Sequence, residues 1–322
     1  MISLLKLLKE TLIDEGGNVF GTTSSIKKEY IKPTLEKFIA ELKRIYPKVN
    51  FKFSTLSSVG KKDESGDIDL GMSVDQFMTK DGEPLLTTWN IDKGEFDALY
   101  EKIRKRSRSA SESQSKLRAM LELIAINIEE KSQFIATDIK AAGGGSIFCR
   151  FPQFDEDGNE LDEKAVQIDI NVGNLDWLEF SYYSNTYKDN VKGLHRTQLV
   201  LAMFQALNMT FRHDVGVKNK ETGELIASNP QEAIQALNDG FNIELSQDIV
   251  NDYFKLMEYL KKHLPEDKLH KIFDIYLKIL DSTRADIPLD LQDYWIKNQE
   301  RLGLKGKFLP DNSNLTKYKK AA

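Results

Sequence analysis

Residues 57–69 read Ser-Ser-Val-Gly-Lys-Lys-Asp-Glu-Ser-Gly-Asp-Ile-Asp, so a turn of small residues and two lysines precede two alternating carboxylates. Side chains at positions i and i+2 of a β-strand point to the same face, so Asp67 and Asp69 share a face that excludes Ile68. Two carboxylates directed at one point repel each other unless a cation lies between them, and hard oxygen ligands suit Mg²⁺. The pattern therefore predicts a strand with a divalent metal site on one face.

The turn before these carboxylates carries groups that bind phosphate oxygens. Ser57, Ser58 and Gly60 offer hydroxyls and backbone N–H groups, and Lys61 or Lys62 can neutralise negative charge. Such an arrangement can hold a triphosphate together with a metal. Asp-x-Asp and Ser-Gly-Asp also occur in solvated strand ends and ordinary turns, so these residues alone leave a structural explanation open.

A second acidic strand favours the metal site. Residues 165–172 read Ala-Val-Gln-Ile-Asp-Ile-Asn-Val and place Asp169 on a polar face between apolar neighbours. Three carboxylates on two strands of one sheet can hold two metal ions roughly 3.5–4 Å apart, a geometry that activates an attacking hydroxyl and stabilises a leaving pyrophosphate.

With these residues the chain resembles the nucleotidyltransferase superfamily typified by DNA polymerase β, and its family X polymerases in particular. The first motif of that family is a Gly-Ser turn and a basic residue followed by Ser-Gly-Asp-hydrophobic-Asp. The matching positions here are Ser57-Ser58, Lys61-Lys62 and Ser65-Gly66-Asp67-Ile68-Asp69. The resemblance implies that Ser65 and Gly66 belong to the nucleotide site with the turn.

Further segments extend the resemblance over about residues 50 to 240. Residues 146–170 are similar to the family's hairpin that carries the third aspartate. Residues 180–184, with Tyr182 and Tyr183, and the following helix with Arg196 are similar to the elements that contact the incoming nucleotide. Residues 211–237 are similar to the start of the family's thumb, with a hairpin at 220–223 and a helix opened by Ser228-Asn229-Pro230.

The roles of three of these residues have structural alternatives. The two tyrosines either stack on the base and sugar or pack within an aromatic turn. On a helix, one of His195 and Arg196 should face away from the nucleotide, and we assign the nucleotide contact to Arg196.

Two departures from the family pattern are visible. Ser57 stands where the family has glycine, so a turn that needs a positive φ would strain this residue. The sequence also carries no helix-hairpin-helix signature, so the resemblance does not imply tight binding of duplex DNA.

The resemblance implies an α+β fold, with a nucleotidyltransferase palm built on a mixed sheet flanked by helices, then a thumb-like hairpin and a helical C-terminal region. We place N-terminal helices and the palm in residues 1–200 and the thumb-like and helical region in 201–322. The implied cofactors are two Mg²⁺ ions, with Mn²⁺ as an alternative, bound by Asp67, Asp69 and Asp169.

The implied reaction transfers a nucleoside monophosphate from an NTP or dNTP to an acceptor hydroxyl, in the first instance a nucleic-acid 3′-hydroxyl. Two alternatives stay open. One is transfer of AMP to a protein or small molecule, and the other is a non-catalytic nucleotide-binding or structural protein that kept the fold.

Composition narrows the class of partner. The formal net charge of −5 argues against a protein that coats nucleic acid generally. Arg104, Lys105 and Arg106 form the centre of a local basic cluster, which either contacts a nucleic-acid acceptor or is a solvated helix face. Its other members are Lys102, Arg108, Lys116 and Arg118.

Cysteine usage and hydropathy bear on the compartment. The single Cys149 excludes an internal disulfide and is expected to be a buried structural thiol. No apolar run is long enough to span a bilayer, and lysines interrupt the N-terminal apolar stretch, so the expected location is cytoplasmic and no membrane partner is expected.

Overall fold

The structure is a computed structural model that describes residues 19–304, apart from 58, 62, 107–110, 185–190, 192, 214 and 284. The chain divides into two compact units, Met1–Glu179 and Phe180–Ala322. The domain boundary that we placed at 200/201 falls inside the helix Gly193–Ala206. The described residues form a mixed α and β fold with a mixed five-stranded sheet, so the coarser part of the fold prediction is confirmed.

The chain up to residue 181 holds the five-stranded sheet. Its elements are β1 (Ile26–Lys27), α1 (Lys28–Ile45), β2 (Ser54–Thr55), β3 (Glu64–Ser65), β4 (Asp67–Ser73), α2 (Lys93–Arg106), α3 (Glu112–Lys131), β5 (Ala136–Asp138), β6 (Ser146–Phe154), β7 (Glu160–Gly173) and α4 (Leu175–Ser181). The strand order is β2-β4-β7-β6-β5, with β4 and β7 parallel and the other neighbours antiparallel. Strands β1 and β3 form a separate antiparallel pair.

The two faces of the large sheet differ, because alternate residues of a strand point to opposite sides. One face is apolar and packs in the core with α1 and α3; Ile68, Ile147 and Ile168 on it are at most 1 % exposed. Cys149 also lies on this face, and burial raises the pKa of its thiol, so the predicted buried thiol is confirmed. The opposite face carries the polar side chains.

The second unit contains a three-stranded antiparallel sheet and most of the remaining helices. Its elements are α5 (Gly193–Ala206), β8 (Met209–Arg212), β9 (Gly216–Asn219), β10 (Leu225–Ala227), α6 (Pro230–Phe241), α7 (Gln247–Val250), α8 (Tyr253–His263), α9 (Glu266–Ser282) and α10 (Gln292–Leu302). The strand order is β10-β9-β8.

Two predicted local features of this unit are confirmed. A hairpin turn joins β9 to β10, and α6 begins at Pro230 with the Asn229 side chain accepting the Glu232 N–H at 3.0 Å. Gly216 has a φ of 118°, and an added Cβ would lie 2.1 Å from the Ala227 carbonyl oxygen. This approach of the two strands therefore requires glycine.

No helix among the described residues is both long enough and apolar enough to cross a membrane.

Candidate active site

The parallel pairing of β4 with β7 brings the three predicted metal-binding aspartates to one face. Asp69 lies directly opposite Asp169, and Asp67 lies opposite Gln167. Directly opposed residues of adjacent strands share a face, so the carboxylates of β4 and β7 are neighbours. Asp169 is buried, with 8 % of its surface exposed, while Asp67 and Asp69 are half-buried.

Burial and crowding disfavour negative charge at this point. Burial, together with the nearby charges of Asp69 and Asp67, raises the pKa of Asp169 to about 8. Burial also raises the pKa of Asp69, although hydrogen bonds from Ser57 and Asn171 act in the opposite direction. The charged form of these carboxylates is therefore costly unless a cation compensates it.

Hydrogen bonds from neutral side chains hold the carboxylates in place. Gln167 Nε2 donates to Asp169 Oδ1 at 2.9 Å and to Oδ2 at 3.2 Å, while Gln167 Oε1 accepts the Val19 N–H at 2.8 Å. Ser146 Oγ lies 2.7 Å from Asn171 Oδ1 and donates to it. From the sequence we assigned no role to these three polar residues. The signal was present, because Gln167 and Asn171 lie two residues either side of Asp169 and must share its face.

The turn between β2 and β4 has a positive φ at Ser57, which is the strained backbone geometry that we considered from the sequence. Ser57 has a φ of 53°, in the left-handed region, and Gly60 has a φ of 71°. Ser57 Oγ donates to Asp69 Oδ2 at 2.7 Å, and Lys61 Nζ donates to the Ser57 carbonyl oxygen at 2.9 Å. Burial lowers the pKa of Lys61. Ser58 and Lys62, which we also assigned to the triphosphate, lie outside the described residues.

The motif residues just before β4 have contrasting environments. Ser65 lies opposite Ile26 in the β1–β3 pair and is 3 % exposed. Its hydroxyl has no hydrogen-bond partner in the described part of the chain. Gly66 is exposed, and a Cβ there would meet no atom within 4 Å. Of the two, only Gly66 is open to contact from solvent.

The fit of the carboxylates to a metal rests on their chemistry. Within the described residues, no group of three or more His, Cys, Asp and Glu side chains stands in an arrangement that could hold a metal ion. Asp69 and Asp169 are instead hydrogen-bonded to Ser57 and Gln167, and neither forms an ion pair with a described basic side chain. Adjacent oxygen donors of like charge without a compensating cation fit a hard divalent ion such as Mg²⁺.

Arg196 lies in the interior of the second unit, with 3 % of its surface exposed. Its Nε donates to the Val250 carbonyl at 2.9 Å, Nη1 to the Phe180 carbonyl at 2.6 Å, and Nη2 to Asn251 Oδ1 at 2.9 Å. Burial lowers the pKa of Arg196 to about 9. His195 is also fully buried, so neither residue faces solvent. A nucleotide contact by Arg196 would break this network, and these bonds favour a structural role.

The two tyrosines of the aromatic turn are half-buried in the second unit. The ring centroid of Tyr182 lies 4.7 Å from that of His213, with the ring planes tilted by 41°. The Tyr183 N–H donates to the Phe180 carbonyl at 3.3 Å. Packing against His213, which follows β8, therefore accounts for part of the Tyr182 ring, and the predicted stacking on a base stays a prediction for both tyrosines.

The basic cluster is partly neutralised. Arg104, Lys105 and Arg106 are exposed in the last turn of α2, where positive charge also complements the helix dipole. Arg104 Nη1 donates to the Tyr100 hydroxyl at 3.3 Å. In the neighbouring helix, Lys116 pairs with Glu83 and Glu112 at 2.8 and 3.0 Å, and Arg118 pairs with Glu122 at 2.9 Å. Within this cluster, the positive charge that is not paired with a carboxylate therefore lies at the end of α2.

Comparison with known proteins finds no protein-family model and no curated protein that matches this chain. The candidate site combines three crowded carboxylates on two parallel strands with a glycine- and lysine-containing turn beside them, and such a combination can bind a metal–triphosphate complex.

Proposed function

We propose that the protein is a nucleotidyltransferase that moves a nucleoside monophosphate from an NTP or dNTP to an acceptor hydroxyl, with a nucleic-acid 3′-hydroxyl as the favoured acceptor. The observation that carries the proposal is the register of β4 and β7, in which Asp69 lies opposite Asp169 and Asp67 lies opposite Gln167 on the same face. The Ser57–Lys61 turn, which leads into these carboxylates, supports it.

In this proposal the five-stranded sheet with its helices is the palm, and the β8–β10 sheet with α6 is the start of a thumb. The mixed sheet, with the carboxylates on one face and helices α1 and α3 behind the other, agrees with a palm. The hairpin and the capped helix that follows agree with the thumb-like segment.

Asp67, Asp69 and Asp169 would hold two Mg²⁺ ions, or Mn²⁺, which supply Lewis-acid polarisation and charge neutralisation when bound. Ser57 orients the Asp69 carboxylate, and Gln167 orients that of Asp169 through two hydrogen bonds. The acceptor oxygen forms a bond to the α-phosphorus as the bond to pyrophosphate breaks. Positioning and charge stabilisation supply most of the rate enhancement in chemistry of this type.

The turn residues bind the departing pyrophosphate. Lys61, together with Ser58 and Lys62, is assigned to the β- and γ-phosphates, and the positive φ of Gly60 lets backbone N–H groups converge on an anion. Burial lowers the pKa of Lys61, and a bound triphosphate would restore the preference for its charged form.

A protein or small-molecule acceptor is the second candidate. The ion pairs of Lys116 and Arg118 leave less free positive charge for a nucleic acid than the sequence suggests, and this favours a smaller acceptor. A non-catalytic role is disfavoured, because crowding Asp67 and Asp69 around Asp169 destabilises the fold and has no benefit without a cation.

The experiment that tests this function offers purified protein, Mg²⁺ and each labelled NTP and dNTP to single-stranded DNA, primed duplex and RNA in parallel. Asp67→Ala serves as the blank, and Asp97→Asn, which removes an exposed carboxylate of α2, is the matched control. Extension by the wild type and by Asp97→Asn, with none by Asp67→Ala, supports the proposal. Extension by Asp67→Ala at the wild-type rate would reject it.

A further inference from the structure

Arg150 lies on the same face of the sheet as the three carboxylates. Its direct partner across the β6–β7 pair is Gln167, the residue that donates two hydrogen bonds to Asp169. The neighbouring pair on that face is Phe148 opposite Asp169. Phe148 and Arg150 are half-buried while Cys149 between them is fully buried, which agrees with the alternation of a strand.

One of the three guanidinium nitrogens of Arg150 is buried and unsatisfied. Its Nε is buried without a hydrogen-bond partner, and the side chain forms no ion pair or hydrogen bond within the described part of the chain. Several other described arginines are bonded: Arg44 to Glu41, Arg118 to Glu122, and Arg196 to carbonyls. A buried polar atom without a partner costs free energy, so Nε favours an anion that the described part of the chain does not supply.

The strand order fixes the side of the site on which Arg150 lies. The Ser57–Lys61 turn connects β2 to β4, while Arg150 lies on β6, and β7 with Asp169 runs between β4 and β6. Adjacent strands are about 4.8 Å apart. A triphosphate held by the turn therefore lies on the β4 side of Asp169, and Arg150 faces the opposite side, which the acceptor must occupy.

We infer that Arg150 binds a backbone phosphate of the acceptor, and that the acceptor is therefore a polynucleotide. A planar guanidinium matches two phosphate oxygens at once. Phe148, next to it and opposite Asp169, offers an aromatic surface to the sugar or base that carries the attacking hydroxyl. This inference rests on the proposed function, and it distinguishes between the acceptor classes that the function leaves open.

The test compares wild type, Arg150→Gln and Arg150→Lys, with Lys93→Gln as a control that removes an exposed charge from α2. The acceptor is an oligonucleotide with either normal phosphodiesters or a neutral methylphosphonate at one linkage near the 3′ end, moved one position at a time. We expect Arg150→Gln to raise the acceptor KM roughly 10- to 100-fold without changing the nucleotide KM, and Lys93→Gln to change neither. Arg150→Lys should restore part of the acceptor affinity.

The methylphosphonate series identifies the contact. A methylphosphonate at one particular linkage should weaken acceptor binding by the wild type. The same substitution should not weaken binding by Arg150→Gln any further, since the two changes remove the same interaction. An unchanged acceptor KM in Arg150→Gln would overturn the inference. So would a methylphosphonate series that changes the acceptor KM of both proteins equally at every linkage. Either result leaves the proposed function intact, because transfer by the wild type is measured in the same experiment.

A binding measurement keeps the inference testable if no transfer is found. Fluorescence anisotropy of a labelled single-stranded oligonucleotide, titrated at several salt concentrations, reports the contact without catalysis. Arg150→Gln should weaken binding and reduce the slope of log K against log salt by about 0.7, the value for one phosphate contact on a single strand. Equal slopes for the two proteins would reject the phosphate contact, and absence of transfer to any nucleic acid would separately reject the nucleic-acid acceptor of the proposed function.

Discussion

Ser57 Oγ donates a hydrogen bond to Asp69 Oδ2 at 2.7 Å from a residue whose backbone φ is 53°. A left-handed conformation costs a residue with a Cβ roughly 1–2 kcal/mol, and glycine would avoid that cost. The hydroxyl explains why serine is useful there, because it holds one oxygen of a carboxylate that the proposed metal site needs.

Two variants of Ser57 separate backbone strain from the hydrogen bond. Ser57→Ala and Ser57→Gly both remove the hydroxyl, but only glycine relieves the backbone strain of the positive φ. We therefore expect Ser57→Gly to unfold with a free energy about 1 kcal/mol higher than Ser57→Ala in urea titrations. Both variants should bind Mn²⁺ more weakly than the wild type in a spectroscopic titration. Greater stability of the alanine variant would contradict the strain, and undiminished Mn²⁺ affinity would contradict the orienting role.

The raised pKa of Asp169 predicts how stability depends on pH without metal. Its pKa is about 8 in the fold and about 4 in the unfolded chain, so the folded state holds an extra proton between these values. The contribution of this proton to the free energy of unfolding is complete below pH 4 and is lost as the pH rises to 8. The free energy of unfolding should therefore fall by up to about 1.4 kcal/mol per pH unit in this range. Urea titrations at intervals from pH 4 to 9 measure this slope.

Asp169→Asn is the comparison for that pH series. The variant cannot titrate at this position, so the difference in unfolding free energy between the two proteins should change with pH in the same window. Adding Mg²⁺ to the wild type at pH 8 should recover stability, because a cation compensates the charged carboxylates. A difference that stays constant from pH 4 to 9 would show that the Asp169 pKa is not raised.

The basic end of α2 should contact nucleic acid through charges that are not already paired. Replacing Arg104, Lys105 and Arg106 together by glutamine should weaken oligonucleotide binding. The slope of log K against log salt should fall by about 0.7 for each phosphate that the variant no longer binds. The control replaces Lys116 and Arg118, which already pair with carboxylates, and should have little effect. Equal effects of the two sets of substitutions would support the alternative interpretation, in which the cluster is a solvated helix face.

Arg196→Met tests the structural role of the buried arginine. The change removes the donor to the Val250 carbonyl and one of the two donors to the Phe180 carbonyl, so we expect the unfolding free energy to fall by about 2 kcal/mol. The nucleotide KM of the folded fraction should be unchanged. A stable variant with a raised nucleotide KM would instead support the nucleotide contact that the sequence predicts.

The local pattern predicted much of the site, because strand alternation depends only on neighbouring residues. It correctly placed Asp67 and Asp69 on one face and Asp169 on a second polar strand. The pairing of Asp69 with Asp169 depends on the register of distant strands, which no local pattern encodes. The nucleotide contact that we assigned to Arg196 stays a prediction. Local pattern could not foresee its surroundings, because the second unit buries both His195 and Arg196 and satisfies the arginine with carbonyl oxygens.

The central claim is that the three crowded carboxylates bind the metal ions for nucleotidyl transfer. Asp169→Asn tests this claim most directly when activity and stability are measured on the same sample. With the transfer assay at saturating nucleotide and a thermal melt without metal at pH 8, we predict that transfer falls by at least about a thousandfold while the melting temperature rises above that of the wild type. Wild-type transfer by Asp169→Asn would contradict the assignment of the site.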